Sequence, residues 1–123
     1  MEVDSATIDN FWLTGTSRIS PFQQIDFLKR LYTSKLPIAT RTETILKRML
    51  LLEETDTYQL SGKTGWSIQE ENNNGWFVGY VEKQGQVFFF ATNINPTATF
   101  NMAGFAAIRK EVTYAALQKM NIY

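Results

Sequence analysis

The stretch best suited to chemistry in this 123-residue chain is Tyr58 to Ile68, which carries Lys63, Thr64 and Gly65 at its centre. Strand alternation puts Tyr58, Leu60, Thr64, Trp66 and Ile68 on one face and Gln59, Ser61, Lys63 and Ser67 on the other. A lysine between two glycines is a poor choice for a strand that only packs. Glycine weakens a strand interior and marks places where another backbone or a ligand comes close. The stretch therefore reads as the wall of a site. The chain has no histidine and no cysteine. That removes the commonest general base, the commonest metal ligand, the thiolate nucleophile and any zinc–thiolate or disulfide framework. Chemistry falls to lysine, carboxylates, hydroxyls and backbone groups, and neither a metal nor a cofactor is expected. The adjacent acids Glu53–Glu54 and Glu70–Glu71 read as solvated loop residues.

The elements that must hold this wall follow from punctuation and periodicity. Ile8, Phe11, Trp12 and Leu13 form an apolar cluster ahead of a turn at Thr14–Ser17. Ser20-Pro21-Phe22-Gln23 has the N-cap, first-turn proline and capping-box glutamine of a helix start. Phe22, Ile25, Leu28, Leu31 and Tyr32 follow at helical spacing, and Pro37 ends the region. Thr40 with Glu43 predicts a second capping box, opening a helix through Ile45, Leu46, Met49 and Leu50. Glu53 to Thr57 reads as a polar loop. The lysine strand is next, then a polar turn from Glu70 to Gly75, with Gly75 free to take a positive φ. Trp76 to Glu82 is a second strand, Gln84-Gly85 a tight turn and Val87 to Ile94 a third strand. Short turns make the three an antiparallel meander. Asn95-Pro96 ends the sheet. A final helix follows, predicted to lay Phe105, Ile108, Val112, Ala116 and Met120 on the sheet. The fold class is α+β: helix pair, three-stranded antiparallel meander, C-terminal helix packed on the sheet.

At this length, residues 1–123 make one domain or part of one. Twelve basic and twelve acidic residues cancel and are scattered, so nothing points to nucleic acid. No apolar run is long enough to span a bilayer. The opening Met-Glu-Val-Asp-Ser lacks the basic start of a signal peptide, so the chain as given is expected in the cytoplasm. Phe88, Phe89 and Phe90 in a row make the last strand apolar on both faces, which suits an interior strand. If that strand is an edge, its neighbour lies outside this sequence, and the exposed strand 87–94 offers a surface for self-association.

In this order, six segments resemble the C-terminal part of a class D, oxacillinase-type, serine β-lactamase, a penicillin-binding (transpeptidase-like) domain. They are Ile8-Asp9-Asn10-Phe11-Trp12-Leu13, Arg18-Ile19-Ser20, Ser61-Gly62-Lys63-Thr64-Gly65-Trp66, Gly75-Trp76-Phe77-Val78-Gly79-Tyr80-Val81-Glu82, Phe89-Phe90-Ala91-Thr92-Asn93 and Ile108-Arg109-Lys110. The resemblance implies a role for each matching residue. Lys63 would set the electrostatics of a cleft, and the Thr64 hydroxyl would meet a β-lactam carboxylate. Gly65 would let the substrate lie beside the strand, and the backbone N–H of Trp66 would be an oxyanion-hole donor. Arg109 would pair with the substrate carboxylate, for which a guanidinium fork is suited. Trp12 would shield the family's carboxylated lysine, with Leu13 beside it. The implied compartment is the periplasm and the implied ligand a penicillin-type β-lactam.

The departures are as informative. No serine here is followed three residues later by a lysine, so the Ser-x-x-Lys nucleophile and base of the family are missing from this sequence. The Ser-x-Val/Ile and Tyr-Gly-Asn motifs are missing too. The expectation is a β-lactam hydrolase by descent that is inactive alone, and whose ligand binds only when the other half is supplied. Two other readings stay open: the C-terminal part of a penicillin-binding sensor of the BlaR or MecR type, and an unrelated small interaction domain.

Overall fold

The computed structural model describes residues 18–69 and 71–123. Helix α1 (Pro21–Tyr32) starts as its sequence predicts. The Ser20 hydroxyl accepts from the Gln23 N–H at 3.1 Å and the Gln23 side chain accepts from the Ser20 N–H at 2.8 Å. Helix α2 (Thr40–Leu50) has Ala39 at its N-cap and no side-chain cap. The capping box expected of Thr40 and Glu43 does not form, because the N-cap is Ala39 and Thr40 is already the first helical residue; the Glu43 carboxylate accepts from the Ser34 hydroxyl at 2.9 Å. Four strands follow: β1 (Leu51–Glu54), β2 (Tyr58–Gln69), β3 (Asn72–Lys83) and β4 (Gln86–Ile94). The Asn101 side chain then accepts from the Ala103 N–H, and a single 3₁₀ turn leads into helix α3 (Phe105–Lys119).

The strands form one antiparallel sheet in the order β1-β2-β3-β4. Helix α3 covers one face. There Leu60, Phe77, Val81, Phe90, Leu117 and Ile122 are buried together. Helix α1 covers the other face, where Tyr32 meets Tyr80 and Phe89 edge-on at 5.3 and 5.8 Å and its hydroxyl donates to Glu82. The three consecutive phenylalanines are thereby explained. Phe88 and Phe90 pack toward α3 and Phe89 toward α1. Strand β4 is apolar on both faces because a helix lies on each, although it stands at the edge of the sheet.

Several sequence expectations need correction. The sheet has four strands, not three, since Leu51–Glu54 is a strand rather than loop. A bulge between Leu51 and Glu53 fits it to β2, and the Thr55 N–H bonds back to the Tyr58 carbonyl at 2.9 Å. The turn expected over Glu70–Gly75 is much tighter. Strand β3 already begins at Asn72, and the positive φ falls on Glu71, not on Gly75. At Gln84-Gly85 both residues have positive φ, which matches the right-handed twist of the hairpin they close. On α3 the buried side chains are Phe105, Thr113 and Leu117, while Val112 and Met120 are exposed. The inward stripe therefore runs at i, i+4 through Thr113, whose hydroxyl is paired with that of Thr92 on β4. Glu53 is no solvated loop acid: its carboxylate accepts from both the Tyr58 and the Tyr123 hydroxyls, so it fastens the end of the chain to β1.

The tightest contact is between β2 and β3. A Cβ on Gly79 would lie 2.0 Å from the Ser61 carbonyl oxygen and 2.6 Å from Gly62 Cα. A Cβ on Gly65 would only touch Trp76 Cβ at 3.5 Å. Gly79→Ala should therefore lower the unfolding free energy by about 2–3 kcal/mol, and Gly65→Ala should stay within about 0.5 kcal/mol, both read from urea melts. Alkaline pH tests the tyrosine cluster. Tyr58 is raised above its ordinary range mainly by the hydrogen bond with Glu53, and Tyr123 by the neighbouring Tyr58 hydroxyl, burial and Glu53. Phenols raised in the folded state stabilise fully below their unfolded value and lose that contribution as pH climbs through the folded one. Stability should thus hold up to about pH 10 and then decline, and Glu53→Gln should shrink the decline in thermal melts.

Candidate functional site

Strand β2 pairs with β3 from Tyr58↔Lys83 to Gln69↔Asn72, which sets Lys63 opposite Val78, Gly65 opposite Trp76 and Trp66 opposite Gly75. Trp66 falls on the α3 face, where its ring meets Phe105 edge-on at 4.9 Å. Lys63 leaves from the alternate face and is exposed. Its amine curls back to donate to the Thr64 carbonyl at 2.8 Å.

Arg109 comes to the same strand from α3. Its Nε–H donates to the Ala106 carbonyl at 3.0 Å and its Nη1 to the Gly65 carbonyl at 2.9 Å. The guanidinium carbon stands 5.8 Å from the centroid of the Trp66 ring. A guanidinium has five N–H donors, so these two bonds leave enough for a carboxylate fork. Glycine at position 75 makes the route possible, because a Cβ there would sit 2.9 Å from Phe105 Cζ and 3.0 Å from Arg109 Cγ and Cδ. The two cations thus end on successive carbonyls of β2, those of Thr64 and Gly65, although 46 positions separate them in sequence. No carboxylate is ion-paired to either of them among the described residues. On the α3 side, a strand that offers the Thr64 hydroxyl, a glycine and an arginine without an acidic partner can bind an anion beside its backbone.

Of the residues singled out in the sequence, Thr64, Gly65, Trp66 and Arg109 come together on the α3 side of β2, and Lys63 leaves the same strand from its other face. Trp12 and Leu13 lie outside the described residues. The sequence reading missed Asn73, whose side-chain oxygen accepts from the Trp66 indole N–H at 2.8 Å. By sequence it falls in the polar turn of Glu70–Gly75. Only the β2–β3 register, with Ile68 opposite Asn73, brings it beside Trp66. Among the described residues, no group of three or more acidic, histidine or cysteine side chains could hold a metal ion.

An antiparallel sheet whose Lys-Thr-Gly strand lies under a C-terminal helix, with that helix's arginine on the strand, is the architecture of a penicillin-binding domain. Residues 2–118 match the family model described as penicillin binding protein transpeptidase domain, and the chain belongs to that family. Its relatives include the β-lactamase OXA-48 of Klebsiella pneumoniae, 41% identical over 108 residues, which are 88% of this chain and 41% of that protein. The regulatory protein BlaR1 of Bacillus licheniformis is 37% identical over 115 residues, 93% of this chain and 18% of that protein. A class D β-lactamase from Nostoc superposes with a TM-score of 0.87 at 41% identity, covering 98% of this chain and 49% of that one. One from Sebaldella termitidis gives 0.89 at 35% identity. The chain spans less than half the length of these relatives and corresponds to the C-terminal part of a class D β-lactamase domain. The reading as an unrelated small interaction domain is overturned by these matches.

The Arg109 contacts make a prediction of their own. Arg109→Ala removes one helix-to-strand hydrogen bond and one ring contact, and should lower stability by about 1–2 kcal/mol. Urea unfolding checks this, with Lys63→Ala expected to change little because that amine is exposed and bonded only to its neighbour's carbonyl.

Proposed function

We propose that this chain supplies the substrate-binding wall of a class D-type serine β-lactamase. In this reading the Thr64 hydroxyl and the Arg109 guanidinium receive the β-lactam carboxylate. Lys63 raises the positive potential of the cleft, and Gly65 lets the ligand lie along β2. The Trp66 N–H donates to the oxygen that gains charge as the lactam carbonyl is attacked, an effect worth roughly 3 kcal/mol in hydrolases. The attacking serine and the carboxylated lysine come from the other half of the domain. Trp12 and Leu13 would close over that lysine, and the assembled protein would act in the periplasm. The observation that carries the reading is the Arg109 guanidinium of α3 donating to the Gly65 carbonyl of the Lys-Thr-Gly strand.

The other half needs a place to dock, and the open edge of β4 supports one. A groove of about 440 Å³ runs along it, with Phe88–Thr92 as its floor, Ile25 and Lys29 of α1 on one side, and Ala116 and Met120 of α3 on the other. A lone extended strand fits between the two helices and would complete the sheet. A second copy of this chain would bring its own α1 and α3 to the same edge, helix against helix. Concentration-dependent dimers in sedimentation would favour that self-association instead.

A second reading is a penicillin-binding sensor, favoured by the near-full coverage of this chain by BlaR1. The two differ in deacylation: a hydrolase releases the acyl group and a sensor keeps it. The test is co-expression with a separate chain bearing the first half, assayed with a chromogenic cephalosporin. The chain alone should give no turnover above buffer, and the pair should hydrolyse the substrate. Stoichiometric colour without turnover would favour the sensor. Saturable hydrolysis by the chain alone would contradict the proposal. In the active pair, Arg109→Ala should lower kcat/KM by about 10- to 100-fold, the loss of one charge-assisted contact.

A further inference from the structure

We infer that Asn73 is a positioning residue for the Arg109 guanidinium, acting through the Trp66 indole, and that Gly75 keeps open the lane the arginine occupies. The inference rests on the reading of Arg109 as the carboxylate-binding cation, but its geometry is testable without a ligand.

Trp66 stands near the far end of β2 and is 38% exposed. A half-exposed side chain on a strand has more than one staggered rotamer open to it. Two contacts select one. The indole N–H donates to Asn73 Oδ1 at 2.8 Å, and the ring edge meets Phe105 at 4.9 Å. In that rotamer the ring lies 5.8 Å from the Arg109 guanidinium carbon. The backbone of Asn73 is itself held: its neighbour Asn74 donates to the side chains of Asn93 and Asn95, and Asn93 donates back to Asn74 at 2.9 Å. The asparagine run therefore ties β3 to β4 with one residue and orients the indole with the next.

Arginine is long and rotamer-rich, so its direction must be imposed from outside. Backbone carbonyls at Ala106 and Gly65 fix its Nε–H and Nη1. The Trp66 ring supplies a third restraint, through the attraction of a cation to a π face. Gly75, opposite Trp66, leaves room for the aliphatic stem, where a Cβ would press on Cγ and Cδ at 3.0 Å. Without Asn73 the indole is free to turn, and the guanidinium loses one wall. A simple staple at the strand end would affect stability only. A positioning role must also move the arginine.

Nitrogen-15 NMR of this chain separates the two roles. The readouts are the Trp66 indole N–H and the Arg109 Nε–H, the latter assigned by its loss in Arg109→Lys. In Asn73→Ala both should exchange with solvent about tenfold faster, the order expected for loss of one hydrogen bond. Asn73→Asp, which keeps an acceptor oxygen, should restore slow exchange. Gly75→Ala should free the Arg109 N–H while leaving the Trp66 indole protected, which tests the lane independently of Asn73. An unchanged Arg109 N–H in Asn73→Ala, with the indole freed, overturns the positioning role. In the chain paired with its first half, Asn73→Ala should raise KM for benzylpenicillin with little change in kcat. If the Arg109 N–H moves but KM does not, the geometry stands and Arg109 is not the carboxylate-binding cation, which overturns the site assignment on which the inference rests.

Discussion

The structure depends on how closely β2 and β3 approach at Gly62 and Gly79. These residues are register partners, and a Cβ at position 79 would lie inside the Ser61 carbonyl and on Gly62 Cα. A side chain at position 79 cannot be accommodated, so the close approach needs glycine opposite Gly62. A shift of one residue would put a Cβ where none fits and would move Leu60 and Phe77 out of the core. The same register sets Trp66 opposite Gly75 and Asn73 within reach of the indole. Close packing in the middle of the hairpin thus decides the geometry at its end, where Arg109 meets Gly65 and Trp66.

Much of this was legible in the sequence, because the signals were local. Ser20-Pro21 with Gln23 specified the start of α1 through chemistry confined to one turn. Gln84-Gly85 specified a hairpin because both residues tolerate positive φ. The lysine between glycines marked the site strand, and the arginine of α3 was found by resemblance and does reach it. What was not legible depended on partners distant in the chain. Leu51–Glu54, two leucines running on from a helix and two acids, shows no strand alternation and is a strand because β2 pairs with it. Glu53 looks like a solvent acid until Tyr123, 70 residues on, donates to it. The buried face of α3 was misjudged because periodicity favoured aliphatic Val112, Ala116 and Met120 over Thr113, whose hydroxyl is satisfied by Thr92. Asn73 was invisible as a site residue until the turn was known to close at Glu71.

The molecule also displays more apolar surface than its own sheet can cover. Helix α3 has two apolar stripes, one on the core and one, through Ala116 and Met120, on the groove beside β4. Phe22 of α1 and Met49 of α2 are 87% and 73% exposed, and no residue of α2 is buried. That agrees with a chain covering less than half of each class D relative. The fold is a sheet with a helix on each face and the open edge of β4 between them.

The central claim is that β2 and Arg109 hold the carboxylate of a β-lactam. A crystal structure of the chain bound to its complementary half and acylated by benzylpenicillin tests it most directly. The account predicts the thiazolidine carboxylate within hydrogen-bond reach of the Thr64 hydroxyl and the Arg109 guanidinium, with the acyl oxygen on the Trp66 N–H. A carboxylate turned away from both, or an acyl oxygen that leaves the Trp66 N–H unused, would contradict it.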